Sequence, residues 1–285
     1  MCRVISRLFI VIFLVTVAAC GSLVSSAKKE FAQDLSATIL SYDDPETIKQ
    51  AVPAYLVLIS SMIRGDEDNI DLLIAGSRLY GAYASIFVEE NGRKVMLAGR
   101  AFAYADRAIC IKKKQACNTQ ALSYSEYEKI LELFAKEDVS VLFSYGAAWA
   151  GLVQANRADW NAVAELPKVR ATIQRVLELD ETISNGDAHL YMGVMESLLP
   201  PTMGGKTELA KNHFERALEI SGRTNLMAML LYAERYARLI FDRELHDRLL
   251  NELVNAESSQ SDLALIDAMA KVKAKKLLAN ADDYF

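Results

Sequence analysis

The residues best suited to covalent chemistry in this 285-residue chain are its four cysteines. Cys20 follows Ala18 and Ala19 at the end of an apolar run. Small residues before a cysteine are typical of a lipobox, in which a signal peptidase cuts ahead of the cysteine and its thiol accepts diacylglycerol. We therefore expect Cys2 to leave with a leader and Cys20 to carry lipid.

The other two cysteines, Cys110 and Cys117, lie about two helical turns apart along the chain. Export would place them in an oxidising compartment, where disulfides form and persist. A disulfide needs Cα atoms about 4.4–6.8 Å apart. Helical geometry at this point could meet that distance or exceed it, so the sequence leaves the bond open.

The segment before Cys20 has the three parts of a secretory leader. Arg3 and Arg7 supply the positive end, and residues 8–17 are apolar except for Thr16. This run is shorter than the roughly 20 residues that cross a bilayer, so we predict cleavage rather than a retained anchor helix. We predict a signal peptide at 1–19, a lipidated cysteine and tether at 20–27, and one all-α helical-repeat domain at 28–285.

No pattern of histidines indicates a metal site. His189, His213 and His246 are scattered, and we expect them at the surface or between helices rather than as ligands. No serine lies in a glycine elbow, and Asp282 and Asp283 lack an opposed partner for acid–base work. We therefore expect no catalytic residues, no metal and no cofactor, and the chain is not predicted to be an enzyme.

Residues 205–207, Gly-Lys-Thr, resemble the end of a phosphate-binding loop. That motif requires a glycine at position 200, where this chain has Pro200, and it requires a preceding strand. We therefore interpret these residues as an ordinary helix start.

The net charge of −5 becomes more negative when Arg3 and Arg7 are removed with the leader. No basic face or arm reverses that sign, which excludes nucleic acid as an expected partner. The run from Lys112 to Lys114 is isolated, and we interpret it as a solvated loop.

Apolar residues recur at three- and four-residue spacing along the region after the leader, and strand-like alternation is missing. Caps agree with this pattern: Asp44 precedes Pro45 and Glu46, and Ser123 forms a capping box with Glu126. We predict an all-α superhelical stack of antiparallel helix hairpins. The predicted helices are 44–64 with 68–88, 93–113 with 124–135, 138–156 with 166–179, 185–199 with 206–220, 225–239 with 243–255, and a last helix at 262–279.

A degenerate tetratricopeptide-like repeat fits residues 191–222. Ala210, Phe214 and Ala217 occupy the small–aromatic–small positions of its second helix, and Gly193 is the small residue of its first helix. The turn between these helices is longer than the consensus. We call its residues the inserted turn and predict that it is a partner-binding loop: Pro200, Pro201, Thr202, Met203, Gly204 and Gly205.

Aromatic side chains share two helical faces, because Tyr80, Tyr83 and Phe87 lie at helical spacing and so do Tyr145 and Trp149. They could pack in the core. They could instead line the concave surface that stacked helices offer, where rings with polar tips suit an organic acid. The candidate ligand-lining or pore-lining residues are Tyr80, Tyr83, Phe87, Tyr145, Trp149 and Tyr191.

The chain resembles the T-component lipoproteins of tripartite ATP-independent periplasmic (TRAP) transporters, called TatT, from about Asp43 to Phe285. Order and spacing together make the match, although Glu181 stands where the repeat of that family usually has proline. The stretches that carry it are Tyr80, Tyr83, Phe87, Val88 and Glu89; residues 136–139 leading to residues 147–149; His189, Gly193, Leu199, Pro200, Pro201, Gly204 and Gly205 leading to Ala210 and residues 213–218; and the ending 282–285.

The resemblance implies a non-catalytic helical-repeat lipoprotein that binds the periplasmic solute-binding protein of a TRAP transporter and assists ligand uptake. It further implies a homo-oligomer, with a trimer as the expected form, and a cavity or pore through each subunit. We expect a lipid anchor in a bacterial membrane facing the periplasm, and the residue after Cys20, Gly21 rather than aspartate, favours the outer membrane. The alternative is a general envelope scaffold that helps to assemble outer-membrane proteins.

Overall fold

The computed structural model describes residues 34–257, apart from Ser36, and residues 263–285. The predicted signal peptide, the lipidated Cys20 and the tether up to residue 27 lie outside the described residues. Within the described ranges the protein is helical and contains no strand, which confirms the all-α prediction.

The described helices are numbered in chain order. They are α1 Pro45–Gly65, α2 Ile70–Phe87, α3 Asn91–Lys112, α4 Tyr124–Leu131, α5 Val139–Ala155, α6 Trp160–Val163, α7 Leu166–Leu179, α8 Asp187–Glu196, α9 Thr207–Ile220, α10 Leu226–Leu231, α11 Arg243–Asn255, α12 Ala264–Ala279 and α13 Ala281–Tyr284. Neighbouring long helices pack against each other in sequence, as a stack of hairpins requires.

The caps explain several helix starts. The carboxylate of Asp44 accepts hydrogen bonds from the amides of Glu46 and Thr47 at the start of α1. Ser123 and Glu126 form the predicted capping box at the start of α4. Each bond satisfies an amide that has no partner within its own helix, so the sequence alone could fix these starts.

Several helices differ from the predicted bounds, and for two of them the backbone conformation gives the reason. The start of α8 is two residues later than predicted, because Ser184, Asn185 and Gly186 all have positive φ and cannot continue a right-handed helix. The segment predicted as one helix at 225–239 is α-helical only up to Leu231 and continues as a π-helix over Tyr232–Ala237.

Among the residues that the structure describes, the core consists of two hydrophobic clusters. One extends from Ile39 to Met192 and includes Leu265 from α12, and the other extends from Leu190 to residues of α12. Close approach of α5 and α7 depends on Gly146, where a Cβ atom would lie 2.8 Å from the Cδ1 atom of Ile173. Helix α12 also packs against α1, so the last long helix of the described chain returns to the first.

Helix α5 is uncharged along its whole length, and many of its side chains are buried against neighbouring helices. No helix in the ranges that the structure describes is both long enough and apolar enough to cross a bilayer.

Candidate functional site

The inserted turn, residues 200–205, is held by its own backbone. The amides of Met203 and Gly205 both donate to the carbonyl oxygen of Pro200, at 2.9 and 3.0 Å. Gly204 has a φ of +84°, and a Cβ atom on Gly205 would lie 1.8 Å from the carbonyl oxygen of Leu199. Both glycines are therefore required by this conformation, and the turn has a specific backbone structure.

Large apolar side chains on and beside this turn are turned towards solvent. Leu198 is 52% exposed, Leu199 is 47% exposed and Met203 is 67% exposed. Neighbouring apolar side chains that stay exposed in a folded chain are typical of interaction sites, and methionine adapts well to a partner surface.

The helices on either side fix the position of the turn. Phe214 in α9 is fully buried, and a Cβ atom on Gly193 in α8 would lie 3.0–3.1 Å from its ring. Ala210 and Ala217 are buried on the same face of α9. The small–aromatic–small packing expected from the sequence is thus present, and α8 and α9 form a rigid base for the turn.

The aromatic residues predicted to line a ligand surface lie mostly in the core. Tyr145 and Trp149 in α5 are fully buried with Phe102, and the Tyr145 hydroxyl is 2.7 Å from the Thr119 hydroxyl. This burial favours the core-packing alternative for both rings. Their lining role therefore stays a prediction.

The three rings of α2 are also packed inwards. Tyr80 and Tyr83 are buried, Phe87 is half-buried, and the rings of Tyr83 and Phe87 are 5.9 Å apart. The Tyr80 hydroxyl donates to the carbonyl oxygen of Leu56 at 3.2 Å. This hydrogen bond joins α2 to α1 and gives the polar end of Tyr80 a partner within the protein.

Tyr191 differs from the other candidates, because it lies beside charged groups from distant parts of the chain. Its ring meets the ring of Phe143 edge to face at 5.8 Å. Asp187, one turn earlier on α8, accepts a hydrogen bond from Asn225 at 3.1 Å. Arg78 from α2 interacts electrostatically with both Asp187 and Tyr191. Arg78 and Asp187 are not close enough to form an ion pair.

Burial shifts the pKa values of Arg78, Asp187 and Tyr191. Arg78 is exposed and Asp187 and Tyr191 are half-buried, yet the surrounding protein desolvates all three. Burial lowers the pKa of Arg78, raises the pKa of Asp187 to about 6 and raises the pKa of Tyr191 to about 12. The protein around these three side chains therefore disfavours their charged forms.

The structure also joins two histidines that the sequence showed as scattered. Nδ1 of His189 in α8 lies 2.8 Å from Nδ1 of His213 in α9, and Nε2 of His189 lies 3.1 Å from a carboxylate oxygen of Glu181. Arg216 holds the same carboxylate through two hydrogen bonds and keeps the pKa of Glu181 low, at about 2. The expectation of interhelical histidines is correct for His189 and His213, but their pairing was missed.

The interpretation of residues 112–114 as a solvated loop is wrong for two of its lysines. Lys112 and Lys113 each lie 3.1 Å from a different carboxylate oxygen of Asp138, whose side chain is 1% exposed. No local pattern indicates this contact, because the lysines and the acid are far apart along the chain. A disulfide between Cys110 and Cys117 closes the same segment.

Two other predictions concern chemistry. Among the described residues, no group of three or more His, Cys, Asp or Glu side chains is arranged to hold a metal ion. Asp282 forms an ion pair with Arg243 at the protein surface.

Comparison with known proteins places the chain in a family. Residues 41–285 match the family model described as TRAP transporter T-component. No curated protein matches the chain. The matched range covers all the helices defined above, including both sides of the inserted turn. The chain therefore belongs to the TRAP transporter T-component family, a family of accessory transport components.

Proposed function

We propose that this protein is a non-catalytic, periplasm-facing lipoprotein adaptor that binds the solute-binding protein of a TRAP transporter and assists ligand uptake. The observation that carries the proposal is the inserted turn with the two residues before it, where Leu198, Leu199 and Met203 are exposed. Family membership supplies the transport context.

A fixed loop suits this role for a thermodynamic reason. Ordering a flexible segment on binding costs free energy, and a segment already held in one conformation avoids most of that cost. Exposed leucine and methionine side chains then contribute apolar area at the interface, and loops on rigid scaffolds commonly carry binding.

The proposal includes a lipid anchor at Cys20, for which we favour the outer membrane. It also includes a homo-oligomer, with a trimer as the expected form. It also includes a solute path past Tyr191, whose ring contacts Phe143 and whose hydroxyl interacts electrostatically with Arg78 and Asp187. A mixed surface of this kind suits a small polar solute with an apolar part. Of the rings predicted to line a ligand surface, Tyr191 is the best placed.

The test is a double substitution, Thr202→Arg with Met203→Glu, in the full-length protein. Both side chains are exposed, and the change leaves the prolines and glycines of the turn in place. We expect an unchanged circular dichroism spectrum and a loss of at least about tenfold in affinity for the solute-binding protein, about 1.4 kcal/mol.

A matched control is Ser61→Arg with Val57→Glu on α1. It introduces the same pair of charges at exposed positions, and Val57 is 71% exposed. This control should bind like the wild type. Unchanged affinity in the turn variant, or an equal loss in the control, would move the interface away from the inserted turn.

The scaffold alternative makes a different prediction. A general assembly factor would co-purify with components of outer-membrane protein assembly, whereas an adaptor would capture a solute-binding protein from periplasmic extract. Captured partners identified by mass, from the wild type and from the turn variant side by side, separate the two functions.

A further inference from the structure

The histidine pair between α8 and α9 is hydrogen-bonded to a carboxylate from the segment that precedes α8. A carboxylate only accepts hydrogen bonds, so His189 donates to Glu181 through Nε2. The neutral ring of His189 then presents the lone pair of Nδ1. That lone pair points at Nδ1 of His213, 2.8 Å away.

We propose that His189 and His213 bind a borderline divalent transition-metal ion, of which zinc(II) is the reference, through their two Nδ1 atoms. Imidazole is a preferred ligand of such ions. Metal-bound histidines almost always donate their other ring N–H to a carboxylate or carbonyl, and Glu181 already accepts that bond from His189.

The carboxylate that accepts the bond from His189 is held in place by other protein side chains. Arg216 binds Glu181 through its guanidinium and also contacts Glu219 at 2.6 Å, so the carboxylate has a fixed orientation. Burial lowers the pKa of His189, and burial with the neighbouring ring lowers the pKa of His213 to about 4. A hydrogen bond between the two Nδ1 atoms requires one of them to accept, so at least one ring is neutral, as a metal ligand must be.

The geometry requires only a small adjustment. Two Zn–N bonds of about 2.0–2.1 Å at a tetrahedral angle place the nitrogens about 3.3 Å apart, roughly half an ångström more than in this structure. His213 is half-buried, so rotation of its side chain can supply that opening. On binding, the proton between the two Nδ1 atoms leaves Nδ1 of His213, and the neutral ring carries its proton on Nε2.

The site has two protein ligands within the described chain, because no group of three candidate ligands is present there. Water, or a side chain of a bound protein, completes the coordination. The two histidines lie on α8 and α9, the helices that hold the inserted turn. A bound metal would cross-link these helices, and the proposal does not depend on the identity of the partner that the turn binds.

The experiment is calorimetric titration of the metal-free full-length protein with zinc chloride. We expect saturable binding of one ion per chain, and at least a tenfold loss of affinity in His213→Gln. Glu181→Gln leaves both imidazoles in place and should weaken binding by about 10- to 100-fold. His246→Gln is the matched control, because His246 is the one other histidine of the chain and lies against Phe285.

A second readout separates the metal site from a plain hydrogen bond. Nitrogen-15 spectra of labelled histidine should show zinc shifting the Nδ1 signals of two rings in the wild type. If zinc leaves these signals unchanged, or if His213→Gln binds zinc as tightly as His246→Gln, the pair is a hydrogen bond alone and the proposal is wrong.

Discussion

Asp138 ties the disulfide-closed segment to the start of α5, and its replacement by asparagine tests how much that contact stabilises the protein. The carboxylate accepts a hydrogen bond from the amide of Ala135 at 3.0 Å and one from each of Lys112 and Lys113 at 3.1 Å. Asparagine keeps the size of the side chain and an oxygen acceptor for the amide. It removes the charge that both lysines contact.

The magnitude follows from burial. A hydrogen bond to a charged group contributes about 1.5–3 kcal/mol, and breaking a deeply buried ion pair costs about 3–5 kcal/mol. Here the lysine side chains are 33% and 30% exposed, so water recovers part of the loss. We expect Asp138→Asn to lower the free energy of unfolding by about 2–3 kcal/mol, and the melting temperature by about 4–12 °C.

The pH dependence gives a second check. Burial would raise the pKa of Asp138, but the Ala135 amide and the two lysines outweigh it and hold this pKa below its ordinary value. A carboxyl whose pKa is lower in the folded state stabilises fully above its unfolded pKa of about 3.9, and this stabilisation is lost as pH falls through the folded pKa. The difference in melting temperature between wild type and variant should therefore narrow from neutral pH to about pH 3.

Thermal melts followed by circular dichroism measure both effects. Asp43→Asn makes the same charge change at an exposed position and should melt like the wild type. Equal melting temperatures for Asp138→Asn and wild type, or a gap that stays constant with pH, would refute the stabilising role of the lysine contacts.

Three further predictions concern the turn, the repeat and the anchor. Gly205→Ala should open the inserted turn, because its Cβ atom would lie 1.8 Å from the carbonyl oxygen of Leu199. The affinity for the partner protein should therefore fall. Gly99→Ala is the control, since a Cβ atom has space there, and it should bind the partner like the wild type. Phe214→Ala should cost about 3–5 kcal/mol, and a melting temperature within error of wild type would count against its packing role. Cys20→Ala should end fatty-acid labelling and release the protein from membranes, and labelled fatty acid still entering this variant would contradict the anchor.

The periodicity of apolar residues predicts the bounds of some helices closely. The predicted bounds of α7 and α11 agree with the structure, because each has an apolar stripe of helical period. The helix predicted at 124–135 ends at Leu131 instead. Phe134 follows in the turn and is buried, so tertiary packing of that ring decides the chain path there.

The sites were harder to predict than the helices. Periodicity places Tyr145 and Trp149 on one face, but it does not say whether that face meets the core or a ligand surface. The contacts between Asp138 and its lysines, and between His189 and His213, join residues that are distant in sequence. Such pairs leave no local pattern, because their geometry is created by the packing of whole helices.

The return of α12 to α1 governs the order in which folding can finish. Leu265 belongs to the core cluster whose other members come from residues 39–192, so that cluster is incomplete until the end of the chain arrives. Contacts between residues so distant in sequence carry a large loop-closure cost and form after local hairpins. A chain delivered amino end first therefore leaves apolar surface near α1 uncovered until α12 docks.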